Sequence, residues 1–117
     1  MHRILVVEDE ALIRMTVIEA LEDAGFQVLE AASADEAVEM LNDNVIHFLF
    51  TDIQMPGTLS GVDLAHAVAD RYPEAGIIVA SGRVQPTEIK LPPNAEFFAK
   101  PFGLSDLVAR VEQLARP

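Results

Sequence analysis

Residues 3–10 read RILVVEDE. Ile4 to Val7 form an unbroken apolar run of strand length with no polar alternation, which suits a strand buried on both faces better than one with a wet face. Strands of that kind belong to parallel sheets covered by helices on either side. The run then gives way to three successive carboxylates, Glu8, Asp9 and Glu10. Two carboxylates about 4 Å apart repel by roughly 4 kcal/mol at an effective dielectric near 20. Acids at the mouth of a buried strand therefore need an offsetting positive charge.

Outward from this stretch, apolar spacing alternates between helical and strand-like. From Ala11 to Ala24, the residues Ile13, Val17, Ala20, Leu21 and Ala24 recur at helical intervals, and Gly25 supplies a stop. Gln27 to Ala31 reads as a second strand. Ser33 with Glu36 three positions later is a capping box opening a helix whose inner face carries Ala37, Val38 and Leu41. His47 to Thr51 is a third strand, and Gly61 to Tyr72 a helix with Leu64, Ala65, Val68 and Tyr72 on one side, broken by Pro73 and Gly76. Gly76 to Ser81 and Glu96 to Lys100 are the fourth and fifth strands. Leu104, Leu107, Val108, Val111 and Leu114 mark a final amphipathic helix. This alternation predicts an α/β fold: a doubly wound, five-stranded parallel sheet with right-handed crossovers and helices on both faces.

The connection between strands four and five, GRVQPTEIKLPPNAE (82–96), is the weak link. Pro86 suits a first helical turn, but Pro92 and Pro93 remove backbone donors, and Thr87 and Ile89 are β-branched. One or two turns fit at most, so a helix here is short or irregular, with low local stability at 84–91.

A chain of 117 residues fits one domain spanning 1–117, and the lack of an internal repeat, linker or second core predicts no output domain. With 8 basic and 19 acidic residues the net charge is −11, which repels nucleic acid and anionic membranes. No apolar run has membrane-spanning length, and Met-His-Arg-Ile does not resemble a signal peptide, so a cytoplasmic location is expected. The absence of cysteine excludes thiol catalysis and cysteine metal sites. His2, His47 and His66 are scattered without a second ligand at metal-binding spacing and read as structural or surface residues.

Ligands of open parallel sheets sit beyond the carboxyl ends of the strands. The first strand ends in Glu8 and Asp9, the third in Asp52, the fourth in Ser81, and the fifth in Lys100 followed by Pro101. Acids at two neighbouring strand ends suit a hard divalent cation, and Mg2+ takes one or two carboxylates plus waters and a phosphoryl oxygen. The same arrangement makes Asp52 a candidate nucleophile toward phosphorus once metal and ammonium charge neutralise the incoming group. Lys100 supplies the ammonium, and Ser81 a hydroxyl able to donate to a phosphoryl oxygen. Glu10 is instead placed to favour the start of the first helix.

Taken together, ILVVEDE, FLFTDIQMPG, IIVASG and FFAKPF resemble the receiver domain of bacterial two-component response regulators over essentially the whole chain. The resemblance implies a flavodoxin-like sheet of strand order 2-1-3-4-5. It implies that Asp52 accepts a phosphoryl group from a histidine of a sensor histidine kinase or histidine phosphotransfer protein. Glu8 and Asp9 then hold Mg2+ directly or through water, the Gln54 backbone carbonyl adds a ligand, and Ser81 and Lys100 contact the phosphoryl oxygens. The Lys100–Pro101 bond is cis by the same analogy. Signalling in such domains moves the Ser81 hydroxyl toward the phosphate, which ties the order of 84–91 to Ser81, and turns an aromatic inward at Phe97. Phe97 is equally readable as plain core. The Gln54 and Arg83 side chains fall where water access to the phosphoryl group is influenced. GTLSG after Pro56 is longer than the usual connection and extends a loop beside the site.

Other classes fit less well. A flavodoxin-like FMN module needs a small-residue phosphate loop after the first strand, where Glu8, Asp9 and Glu10 repel phosphate. A haloacid-dehalogenase-like phosphohydrolase shares the strand-end Asp, Ser and Lys but expects a second Asp two residues after its nucleophile; with Asp9 in that role the position holds Ala11. A degenerate receiver acting only as a protein-binding module is disfavoured because every chemical position is filled.

Overall fold

The computed structural model describes residues 2–116. Strands β1 (Arg3–Val7), β2 (Gln27–Ala31), β3 (Phe48–Asp52), β4 (Gly76–Ser81) and β5 (Ala95–Ala99) alternate with helices α1 (Ala11–Asp23), α2 (Ala34–Met40), α3 (Gly61–Arg71) and α4 (Leu104–Ala115). All strand pairings are parallel, in the order β2-β1-β3-β4-β5. Strand order reverses between β1 and β3, which leaves a crevice at their carboxyl ends.

The continuous apolar runs are explained by the layers. Leu5 and Val7 of β1, Leu49 of β3, and Ile77 and Val79 of β4 pack with the inner faces of α2 and α3. Their alternating neighbours Ile4, Val6, Phe48, Phe50, Ile78 and Ala80 pack with Val17 and Leu21 of α1 and Leu107 and Val111 of α4. A strand with both faces covered has no wet side, so period-two polarity disappears.

Local signals set the ends. Ser33 Oγ accepts from the Glu36 amide at the start of α2. Ser60 caps α3, and Asp63 returns the bond to the Ser60 amide at 2.9 Å. Gly25, at a φ of 96°, turns the chain out of α1. β3 and β5 are offset by one residue from the sequence expectation because the ladder pairs Asp52 with Ala80 and Ala95 with Ile77. Asp52 thus closes its strand, whereas Lys100 lies just beyond β5. Of the helically spaced apolar residues of α1, Ile13 does not join the buried face: it is 37% exposed. Ile13 lines an open groove with Phe102 and Leu104 instead of entering the core.

Between β4 and β5 the only regular element is a single 3-10 turn, Pro86–Glu88. The Gln85 amide donates to Glu88 Oε1, and His66 Nε2 on α3 bonds the Lys90 carbonyl at 2.7 Å. This accords with a fourth helix that is short or irregular.

Candidate functional site

The β1 and β3 ends bring Glu8, Asp9 and Asp52 together, with ligand atoms from the three carboxylates all within 4.8 Å of one another. Glu8 is 1% exposed. Its Oε2 accepts from the Glu10 amide at 3.0 Å, and its Oε1 from Lys100 Nζ at 3.3 Å. Lys100 Nζ also reaches Asp52 Oδ2 at 3.2 Å, so one ammonium bridges two of the three acids.

Burial pushes the Glu8 carboxyl above the usual carboxylate range; the Glu10 amide and Lys100 oppose that shift, while Asp9 and Asp52 add to it. For Lys100, burial disfavours the charge, but the Asp52 and Glu8 carboxylates outweigh it and hold the ammonium above its ordinary pKa. The site therefore keeps a fixed positive charge beside Asp52 and a surplus of negative charge around Asp9.

Backbone anchors fix these side chains. Arg14 Nη1 on α1 donates to the Glu8 carbonyl at 2.7 Å while its Nε donates to Glu30 at 3.1 Å. The fully buried Thr51 donates its hydroxyl to the Asp52 carbonyl at 2.8 Å. A Cβ on Gly61 would lie 2.0 Å from the same carbonyl oxygen, so only glycine lets α3 start this close to β3. Sequence reasoning missed Arg14 and Thr51 as positioning groups. A basic residue one turn after a run of acids was the available signal for Arg14, whereas Thr51 reads as any β-branched strand residue.

Asp9 and Asp52 open into a cleft of about 620 Å3, whose lining also includes Gln54, Ser81, Arg83 and Lys100. Gln54 and Arg83 are exposed. Ser81 is buried at the cleft wall, but its Oγ accepts from the Arg83 and Val84 amides, each at 3.1 Å. Its hydroxyl is thus engaged with the following loop rather than with Asp52. Phe97 is half-buried and packs against the cluster shared with α2 and α3. The Lys100–Pro101 peptide is cis. The histidines lie outside the cleft: His47 Nδ1 accepts from the Arg3 amide, His2 meets His47 edge to face, and His66 holds Lys90.

Three acids, an ammonium and a hydroxyl on one open edge can coordinate a hard cation and a tetrahedral oxyanion side by side. The donor set is all oxygen, as Mg2+ prefers. This constellation, on this sheet, defines a signalling receiver. The chain belongs to the response regulator receiver domain family, whose model matches residues 4–112. Response regulator receiver protein CpdR of Brucella abortus is 33% identical over 97% of this chain and 97% of its own length. Among solved structures, a response regulator receiver protein from Sinorhizobium medicae superposes with a TM-score of 0.89 at 29% identity, covering 97% of this chain and 93% of that one. TrrA of Thermotoga maritima, solved in complex with Mg2+ and BeF, gives a TM-score of 0.85 at 29% identity over 97% of this chain and 99% of its own. Family membership sets aside the phosphohydrolase and FMN alternatives. No helix among the described residues is long and apolar enough to cross a membrane.

Proposed function

We propose that Asp52 accepts a phosphoryl group from the phosphohistidine of a sensor histidine kinase or histidine phosphotransfer protein, in a Mg2+-dependent reaction. The observation that carries this is the Lys100 ammonium, 3.2 Å from Asp52 Oδ2 and 3.3 Å from Glu8 Oε1, on an open cleft lined by Asp9 and Asp52. An Asp52 oxygen attacks phosphorus as the bond from phosphorus to the imidazole nitrogen breaks, leaving an acyl phosphate on Asp52 and a neutral histidine on the donor. Lys100 neutralises phosphoryl oxygens as they approach, and Ser81 donates its hydroxyl once it leaves the Arg83 and Val84 amides. Asp9, Glu8 and Asp52, with the Gln54 backbone carbonyl, are the residues that would hold Mg2+, which when bound supplies charge neutralisation at the phosphoryl oxygens.

The unit 1–117 acts as a cytoplasmic phosphoprotein of a two-component system or phosphorelay rather than as a conventional enzyme. It promotes its own phosphorylation and dephosphorylation, with Gln54 and Arg83 gating water. Withdrawal of Ser81 from the 83–84 amides, together with repacking of Phe97, alters the 84–91 surface for a downstream partner or precedes onward phosphotransfer. Incubation with acetyl phosphate tests the chemistry by intact mass. Wild type gains one phosphate in Mg2+ and none in EDTA; equal gain by Asp52→Asn, or labelling indifferent to EDTA, would sink the proposal.

A further inference from the structure

The β3–α3 connection, lengthened by GTLSG, is held at both ends. At its base the Gly61 amide donates to the Ile53 carbonyl at 2.9 Å. At its tip the Asp35 carboxylate, in the first turn of α2, accepts three hydrogen bonds. These come from the Thr58 amide at 3.0 Å, the Thr58 hydroxyl at 2.9 Å and the Leu59 amide at 3.1 Å. Gly57, at a φ of 119°, passes so close that a Cβ there would sit 2.6 Å from Asp35 Oδ2. These bonds also hold the Asp35 carboxyl below the usual aspartate range.

An acid in the first turn of a helix ordinarily serves the macrodipole alone. Asp35 does more, because it spends both oxygens on another segment. Its helix is seated in the core: the neighbouring Ala34 and Ala37 are fully buried in the cluster that includes Leu5 and Val7 of β1, the strand that delivers Glu8 and Asp9. The loop it grips begins at Asp52 and carries Gln54 and Met55 along the cleft wall. One carboxylate therefore ties the β1 half of the acidic cluster to the β3 half.

We infer that Asp35 is a positioning residue for the cation site, acting through the 54–60 loop to hold the Gln54 carbonyl in register with Asp9 and Asp52. The inference rests on the phosphoacceptor reading above for the identity of the site. With the latch removed, the loop regains backbone freedom equivalent to about one fully freed residue, which cation binding must then suppress and which weakens Mg2+ by about tenfold. The reacting groups themselves stay intact, so phosphorylation at saturating Mg2+ returns close to the wild-type rate.

Mg2+ titrations by calorimetry on wild type, Asp35→Ala, Asp35→Asn and Thr58→Val, with amide hydrogen exchange across 54–60, test this. Asp35→Ala is expected to raise the Mg2+ dissociation constant about tenfold and speed exchange at Thr58 and Leu59. Asp35→Asn and Thr58→Val, which keep part of the latch, fall between it and wild type. If Asp35→Ala does not fold, Thr58→Val alone carries the test, with a smaller loss of affinity expected. Unchanged Mg2+ affinity in variants whose loop amides exchange faster overturns the positioning role while leaving the phosphoacceptor reading intact. Unchanged exchange overturns the latch itself. A wild type that binds no Mg2+ removes the phosphoacceptor reading and this inference with it.

Discussion

Without a cation, the acidic cluster should weaken the protein that carries it, and Asp9 is the member to neutralise. Glu8 and Asp52 each share Lys100, whereas Asp9 has no ion-pair partner among the described residues. Its carboxylate lies within 4.8 Å of the other two. At that separation one unit-charge pair repels by about 3.5 kcal/mol at an effective dielectric of 20 and about 0.9 kcal/mol in water. Asp9 is half-exposed and Lys100 cancels part of the field, so a net gain of about 1–2 kcal/mol is expected for Asp9→Asn. For a domain of this size that corresponds to a rise in Tm of roughly 4–10 °C. Thermal unfolding in EDTA by circular dichroism reads the difference. In Mg2+ the order should invert, because wild type gains about 2.7 kcal/mol at a cation concentration 100 times its dissociation constant and the variant gains little. An Asp9→Asn protein that melts below wild type in EDTA would refute the electrostatic reasoning and point to a structural role for the Asp9 carboxylate.

Glu8 gives a pH dependence of unusual sign. Its folded pKa is raised above 4.5, so the folded state binds the proton more tightly than the unfolded chain, and its penalty is absent below the unfolded value and complete above the folded one. In EDTA the urea midpoint should therefore rise as pH falls from neutrality toward the unfolded value of 4.5, and Glu8→Gln should flatten that rise; a flat wild-type profile would contradict it. Gly61→Ala places a methyl 2.0 Å from the Asp52 carbonyl oxygen. It should cost about 3 kcal/mol or more in urea unfolding, and a loss under about 0.5 kcal/mol would mean α3 can shift away freely. Residues 84–91, with one 3-10 turn, should exchange amide hydrogens far faster than α4 and gain protection with Mg2+ and beryllofluoride. Protection equal to that of α4 in the unliganded protein would rule this out.

Most of the fold was legible because the central strands β1, β3 and β4 are buried on both faces and each helix on one, which writes two distinct hydrophobic periods into the chain. The strand-end positions of Glu8, Asp52, Ser81 and Lys100 followed from the same periods. What the sequence hid was of two kinds. Ile13 satisfies helical spacing as well as Val17 does, yet it is 37% exposed on a groove beside Phe102 and Leu104 while Val17 is buried, a difference set by tertiary packing alone. Thr51 bonds the carbonyl of its neighbour Asp52, and Asp35 the amides of Thr58 and Leu59 on a separate segment, and neither local pattern announces its partner; of the three anchors only Arg14, a basic residue after a run of acids, carried a signal. Ser81 shows the same limit. Its place at the end of β4 is readable, but the engagement of its oxygen with two loop amides is a matter of tertiary geometry.

The central claim, that Asp52 is the residue phosphorylated, is tested most directly by trapping the product. Wild-type protein phosphorylated in Mg2+ by a histidine kinase is reduced with borohydride, which converts an aspartyl phosphate to homoserine, and the peptide spanning β3 is sequenced by mass spectrometry. Homoserine at position 52, absent when EDTA is present during transfer, is the expected result. Homoserine at position 9, or phosphate retained on a serine, threonine or histidine with residue 52 unchanged, would contradict the account.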